Sequence, residues 1–298
     1  MNNVKKRRIE PRSGVERSLD NSFYWLTKIF AFAVAGVLIW ITIQVAIAAM
    51  PAIREFGLNF ITTSSWNPVA KQYGVWPAIY GTLVSSFIAL AISVPIGLGV
   101  AIFLSEDYLP PKLQRVIVFL VELLAAVPSV VYGLWGIFVL IPFLKGFTPL
   151  RGPGMLPAAL ILSVMILPTI AAISRDAVTN VDIGLRQAAV GLGATRWEAI
   201  LQIILPAASS GIIGGIMLAL GRALGETMAV TMLIGNSNRV SASVFQPSNT
   251  VSSLLANQFA EANGLQVAAL MYAALILFFI TLVVNILAQL LVTRLQKI

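Results

Sequence analysis

The chain of 298 residues has no cysteine and no histidine, and only 11% of its residues are charged. The first two absences exclude disulfides, thiolate nucleophiles, imidazole acid–base catalysis and the usual zinc or haem ligation. A G-x-x-x-x-G-K-[S/T] phosphate loop is also missing, so hydrolysis of ATP by that route must come from another chain. No internal repeat of solenoid length is present. What fills the space is apolar: 58% of residues are hydrophobic and the mean hydropathy is +0.89, too high for a soluble domain. The net charge of +8 is concentrated in KKRR and its surroundings, beside the first apolar run. That placement is a topology signal, and no nucleic-acid partner is expected.

Six apolar stretches follow one another at 23–50, 78–104, 116–140, 156–174, 206–234 and 267–292. Each reaches the roughly 17–25 residues that cross a bilayer core as a helix. Lipid admits only helices or closed barrels, and runs of this length exclude strands. The fold class is therefore an all-α integral membrane bundle of six helices, residues 23–298, behind a mobile basic cytoplasmic tail at 1–22. The first stretch exceeds a signal-peptide core and more spans follow it, so it reads as a retained helix ended by Pro51. Most Lys and Arg lie on the tail's side of the membrane (Lys5, Lys6, Arg7, Arg8, Arg12, Arg17, then Lys112, Arg115, Arg175, Arg186 and Arg196), which puts both termini in the cytoplasm. Pro95, Pro128 and Pro168 interrupt spans two to four and should kink them or free carbonyls.

Between the fourth and fifth spans, at about 175–206, stands QAAVGLGATRWEAILQIILP. A short helix over 183–190, a break at Gly191 and Gly193, and a second helix capped by Thr195 with Glu198 three residues on make a helix-turn-helix on the membrane surface. A solvated connector has the same composition. The spacing of Gln187, Ala188, Ala189 and Gly193, followed by Ile203, Ile204, Leu205 and Pro206, resembles the EAA loop of ABC importer permeases, with Gln187 where the family usually has Glu. The resemblance implies that these residues dock into a groove of a cytoplasmic ATPase.

One charged pair falls near the bilayer midplane, Arg222 and Glu226 in the fifth span, one helical turn apart. Such charges face a bundle interior, a cavity or a partner. Either the two neutralise each other, or Arg222 offers its planar donors to an oxyanion. Glu226 can then restrain Arg222, pair with a partner's arginine, or accept a hydrogen bond from a protonated phosphate. Thr227 and Thr231 either bond back to helix carbonyls or line the path. Gly221 and Gly225 form a GxxxG pair suited to close helix packing, extended by Gly211, Gly214 and Gly215. Glu122, in the third span, is a second-rank candidate expected to pair with Lys112 or Arg115. Asn249 or Thr250 should open a short helix in the external loop, where Phe245, Pro247 and Phe259 either meet a partner or cover helix ends.

Together GRALGETMAVTMLIGN, the EAA-like loop and ELLAAVPSVVYGLWG resemble the phosphate ABC importer permeases of the PstC type, from Phe23 onward. The resemblance implies a non-catalytic permease of type I importer fold in the bacterial inner membrane, passing phosphate by alternating access. It further implies a heterodimer with a PstA-type permease, a PstB-type ATPase dimer carrying ATP and Mg, and an external PstS-type binding protein. No cofactor or metal is expected on this chain. Sulfate or molybdate permeases share the loop, and an ion-coupled carrier is the alternative of another class.

Overall fold

The computed structural model describes residues 14–106 and 108–295. Its contacts divide the chain into two compact units, residues 1–47 and 48–298. The expected tail lies outside the described residues up to residue 13, and from Gly14 the chain is already helical. Helix α1, Gly14–Phe56, supplies the described part of the first unit, and its apolar stretch is long enough to span a bilayer. Contrary to expectation Pro51 does not end α1; the helix continues to Phe56 with the proline inside. A proline removes one backbone bond, a loss that a long membrane helix accommodates locally.

In the second unit, α2 (Asn59–Thr62) and a two-residue hairpin of β1 (Trp66–Asn67) and β2 (Gln72–Tyr73) precede the first long helix. Trp66 faces Tyr73 across the hairpin, edge to face at 5.0 Å. Then come α3 (Trp76–Ser105), α4 (Pro111–Ala126), α5 (Ser129–Trp135), α6 (Ile141–Lys145) and α7 (Met155–Thr179). The loop that follows α7 holds α8 (Ile183–Gly191) and α9 (Arg196–Ala199). After it come α10 (Leu205–Gly225), α11 (Met228–Leu233), α12 (Val251–Gln258) and α13 (Leu265–Leu295). Among the described residues five helical stretches are long and apolar enough to cross a membrane, and the bent pair 111–126 and 129–145 makes the number six when it is counted as one span. The fold is the expected all-α membrane bundle.

The bundle is built around α7. In its apolar window 61% of residues are buried, against 28% for α3. Where lipid tails are as apolar as leucine, helices associate by close packing of small residues rather than by escape from water. Helix α3 meets that demand with Gly81, Ser85, Ala89, Ser93, Gly97 and Ala101, all buried and spaced four apart, hence on one face. A side chain at Gly97 would meet Ile170 of α7 at 2.9 Å, and Leu104 shares a cavity wall with Thr179. The two helices therefore run parallel. At the other end of α3, Gly81 abuts the backbone oxygen of Asn249, and the Thr82 hydroxyl accepts a hydrogen bond from Val251 N–H at the start of α12. As expected, Thr250 caps α12, exchanging hydrogen bonds with Ser253.

Two spans are interrupted, the third at an expected proline and the fifth where no interruption was expected. The third is broken at Val127 and Pro128 by 91°. Proline forces the preceding residue out of the helical region, and Val127 is extended at φ −66°, ψ 128°. The Tyr132 hydroxyl donates to the carbonyl of Leu124 at 2.8 Å, beside the long bond of 3.4 Å from Val127 N–H to the same oxygen at the end of α4. The fifth span starts earlier than Pro206: α9 passes through a widened turn at 200–204 into α10, making one helix from Arg196 to Gly225. It then breaks at Glu226, which is extended at φ −64°, ψ 126°. The widened turn 136–140 lies just before Pro142, as 200–204 lies just before Pro206, giving each proline ring room without a kink. Pro95 and Pro168 sit inside uninterrupted helices, so of the three expected kinks only Pro128 marks a break.

Adding a methyl at Gly81, against a fixed backbone oxygen, is expected to destabilise the protein by about 1–3 kcal/mol. Gly99, with nothing near its Cβ direction, should accept alanine with no loss. Thermal unfolding of Gly81→Ala and Gly99→Ala in the same detergent checks the contrast.

Candidate functional site

Arg222 occupies the last turn of α10, where a cation complements the carbonyl end of the helix. Of the two readings of this pair, the one-turn pairing of Arg222 with Glu226 is absent among the described residues, because the helix ends at Gly225 and carries Glu226 away from the arginine's face. Instead Glu226 Oε1 accepts the N–H of Ala229 at 3.4 Å, a long bond of the kind that caps a helix start. Among the described residues Arg222 makes neither an ion pair nor a hydrogen bond, though its charge reaches the Tyr132 hydroxyl. The Thr227 hydroxyl donates back to Gly225 O at 3.1 Å, and that of Thr231 to Thr227 O at 2.6 Å. These bonds favour the back-bonding role for both threonines.

The two breaks lie side by side. A side chain at Gly133 of α5 would meet Met232 Sδ at 2.6 Å and Ala229 Cα at 3.4 Å, both on α11. One at Gly136 would meet Leu233. The arrangement therefore brings a half-buried, uncompensated guanidinium to the point where two spans lose their helical hydrogen bonds. Chemically it can receive an anion, and it offers no nucleophile with an adjacent base. Among the described residues no three potential metal ligands come together.

Gly211 and Gly215 pack on α7, against Ala177 and Ile173. Among the described residues nothing lies within 4 Å of where a Cβ would stand at Gly214, Gly221 or Gly225, so no described helix fills the GxxxG pair. Glu122 is bound differently from expectation. Its partner is Arg175 at 3.8 Å, not Lys112 or Arg115, because α4 packs against the last turns of α7, where Val118, Val121 and Glu122 line one small cavity with Ala171, Ala172 and Arg175. Arg175 is also held by Asp176 at 2.8 Å, and Glu122 stays largely exposed.

The loop after α7 has the expected helix-turn-helix. Asp182 caps α8 through Gly184 N–H, Gly193 takes φ +84°, and Thr195 with Glu198 forms a complete capping box. Gln187, Ala188 and Gly193 are exposed, but Ala189 is buried at 1% exposure. It therefore faces this chain's own interior and not a partner. Beside the exposed three stand Val190, Leu192 and Trp197, at 66%, 89% and 59% exposure. The sequence reading missed these, and it also missed Arg186, whose guanidinium bonds Glu106 Oε1 at 2.6 Å and the Val178 carbonyl at 2.7 Å. The linear sequence holds no signal for that pair, whose members stand 80 residues apart.

The natural lack of cysteine makes the loop's two faces directly testable. Ala188→Cys should react readily with a water-soluble maleimide and Ala189→Cys should resist it; equal rates would contradict the burial described.

The profile of binding-protein-dependent transport system inner membrane components matches residues 93–297. The chain is 42% identical over 299 residues to the phosphate transport system permease protein PstC of Haemophilus influenzae, covering 94% of this chain and 95% of that one. It is 36% identical to the probable PstC of Methanocaldococcus jannaschii, over 80% and 82% of the two chains. Among solved structures, a bacterial alginate ABC transporter in complex with its periplasmic protein aligns with a TM-score of 0.65 at 18% identity, covering 93% and 97%. An inward-facing methionine ABC transporter aligns at 0.53 and 20% identity, over 75% and 93%. These two show the fold alone. By profile and by relatives along nearly its whole length, the chain belongs to the binding-protein-dependent inner membrane transport components.

Proposed function

We propose that the chain is the PstC-type transmembrane subunit of an ATP-driven importer of inorganic phosphate. The observation that carries this reading is Arg222. An arginine in mid-membrane costs roughly 2.5–3.5 kcal/mol on insertion scales. Here no carboxylate among the described residues offsets that cost, and an anion in transit would. Its relatives' names supply the identity of that anion.

The partner permease, of PstA type, lies against the unoccupied Gly221 and Gly225. A PstB-type ATPase dimer, bearing ATP and Mg, takes Gln187, Ala188, Gly193 and the exposed apolar side chains beside them. A PstS-type binding protein delivers phosphate from outside, and this chain itself catalyses nothing. Both termini and the loop face the cytoplasm, following the distribution of Lys and Arg. Closure of the ATPase shifts the loop, the breaks at Val127 and Glu226 reorient, and phosphate passes Arg222. High affinity resides in the binding protein, because a site of passage must also release.

In cells lacking their own permease and complemented with the whole system, Arg222→Ala should reduce labelled phosphate uptake tenfold or more, roughly the worth of one charge-assisted hydrogen bond. Sulfate and molybdate should not compete. Normal uptake by an assembled mutant would make Arg222 structural, and competition by either anion would reassign the substrate. A carrier driven by an ion gradient would retain uptake when the ATPase is inactivated.

Glu226→Gln keeps an acceptor for Ala229 N–H but loses the charge. If Glu226 recognises the P–OH of phosphate, this variant should assemble normally and admit sulfate as a competitor. Unchanged transport and unchanged selectivity would leave it a helix cap.

A further inference from the structure

At the root of the loop, one side chain touches three helices at once. Arg186 belongs to α8; its Nη1 bonds Glu106 Oε1, just past the end of α3, and its Nη2 bonds the carbonyl of Val178 in the last turn of α7. Both charged side chains are mostly shielded, with 24% and 18% exposure, so the pair is screened less than a surface bridge. Around it lies a small apolar core of Val178, Ile200, Ile204 and Ala208, with Leu98 and Ile102 of α3 packed against it. Ala189 anchors the C-terminal half of α8, and Arg186 holds the middle. The helix is therefore fixed to the membrane bundle at two points, Arg186 and Ala189, while the rest of it stays exposed.

What α3 does at its other end gives this attachment a consequence. There Gly81 is pressed on Asn249, Thr82 accepts Val251 N–H at 3.0 Å, and the Tyr80 hydroxyl donates to Ser241 O at 3.0 Å. Thus α3 contacts the loop root through Glu106 and the opposite face of the bundle through three successive residues. Its middle is an uninterrupted helix, with Pro95 inside it, packed on α7 by small residues.

We infer that Arg186 is a positioning residue for coupling: through Glu106 it makes α3 a rigid rod linking the ATPase-side loop to the external segment 241–251. This rests on the reading that α8 receives the ATPase. Loaded binding protein outside would then raise ATP hydrolysis inside by way of this contact, and the reverse stroke would use it too.

The test uses the complete importer in proteoliposomes: this chain, the partner permease, the ATPase and the binding protein. The readouts are the factor by which phosphate-loaded binding protein stimulates ATP hydrolysis, and the phosphate imported per ATP. Arg186→Glu and Glu106→Arg should each cut the stimulation factor roughly fivefold or more, the lower range of a coupling energy between sites. Combining the two reversals should recover a large part, though not all, since Glu at 186 cannot donate to Val178. If a reversed chain fails to assemble, Arg186→Lys and Glu106→Gln supply the same readouts, with a smaller loss expected. Full stimulation in assembled variants, or a double reversal no better than the singles, overturns the inference. Cross-linking of Ala188→Cys to the ATPase separates the two levels. No cross-link removes the docking reading and this inference with it, whereas a cross-linked complex with unaltered stimulation removes this inference alone.

Discussion

Close approach of α3 to α7 is the constraint on which the rest of the structure depends. In lipid, apolar side chains gain nothing by meeting each other instead of acyl chains, so a helix pair holds together by contact density. Small residues of α3 from Ser85 to Ala101 provide it, with Gly97 set against Ile170. Helix α7 thereby becomes the buried centre, and α4, α5 and α10 are arranged around it. On this face Ser85 returns its hydroxyl to the Thr82 carbonyl of its own helix, whereas the buried hydroxyl of Ser93 has no hydrogen-bond partner among the described residues.

Against that rigid pair, the irregular backbone is confined to the third and fifth spans. A helix interrupted inside a membrane leaves donors and acceptors that lipid cannot satisfy. Both breaks are partly repaired from within: Tyr132 covers a carbonyl of α4, and Glu226 covers an N–H of α11. Beside both interruptions, Arg222 makes neither an ion pair nor a hydrogen bond among the described residues. A stiff α3–α7 pair next to two breakable spans is an arrangement in which movement at one end has a defined route and a defined place to act.

The sequence was legible wherever a local rule decides the outcome. Span number follows from apolar length, the Thr195 and Thr250 caps from a polar residue ahead of a helix, and the turn at Gly193 from the one residue type at ease at φ +84°. It misled where two local rules compete. Arg222 and Glu226 stand at helical spacing, yet the chain leaves the helix between them, and Glu226 is taken up by backbone. Pro128 and Pro51 look alike in sequence, but one breaks a span and the other does not. The partners of Glu122 and Arg186 were out of reach for a different reason. Arg175 and Glu106 are brought to them by tertiary packing, for which neighbouring residues hold no record.

The most direct test of the central claim is a pair of pulsed EPR distances in the assembled importer, with and without bound ATP. One pair, Phe87→Cys with Thr179→Cys, spans the α3–α7 rod; the other, Leu201→Cys with Met228→Cys, spans the break at Glu226. Thr179 is exposed near the end of α7, and the other three positions are exposed as well. A constant first distance with a shifted second is expected of a rigid rod beside a movable break. A shift within the rod while the break stays fixed would contradict it.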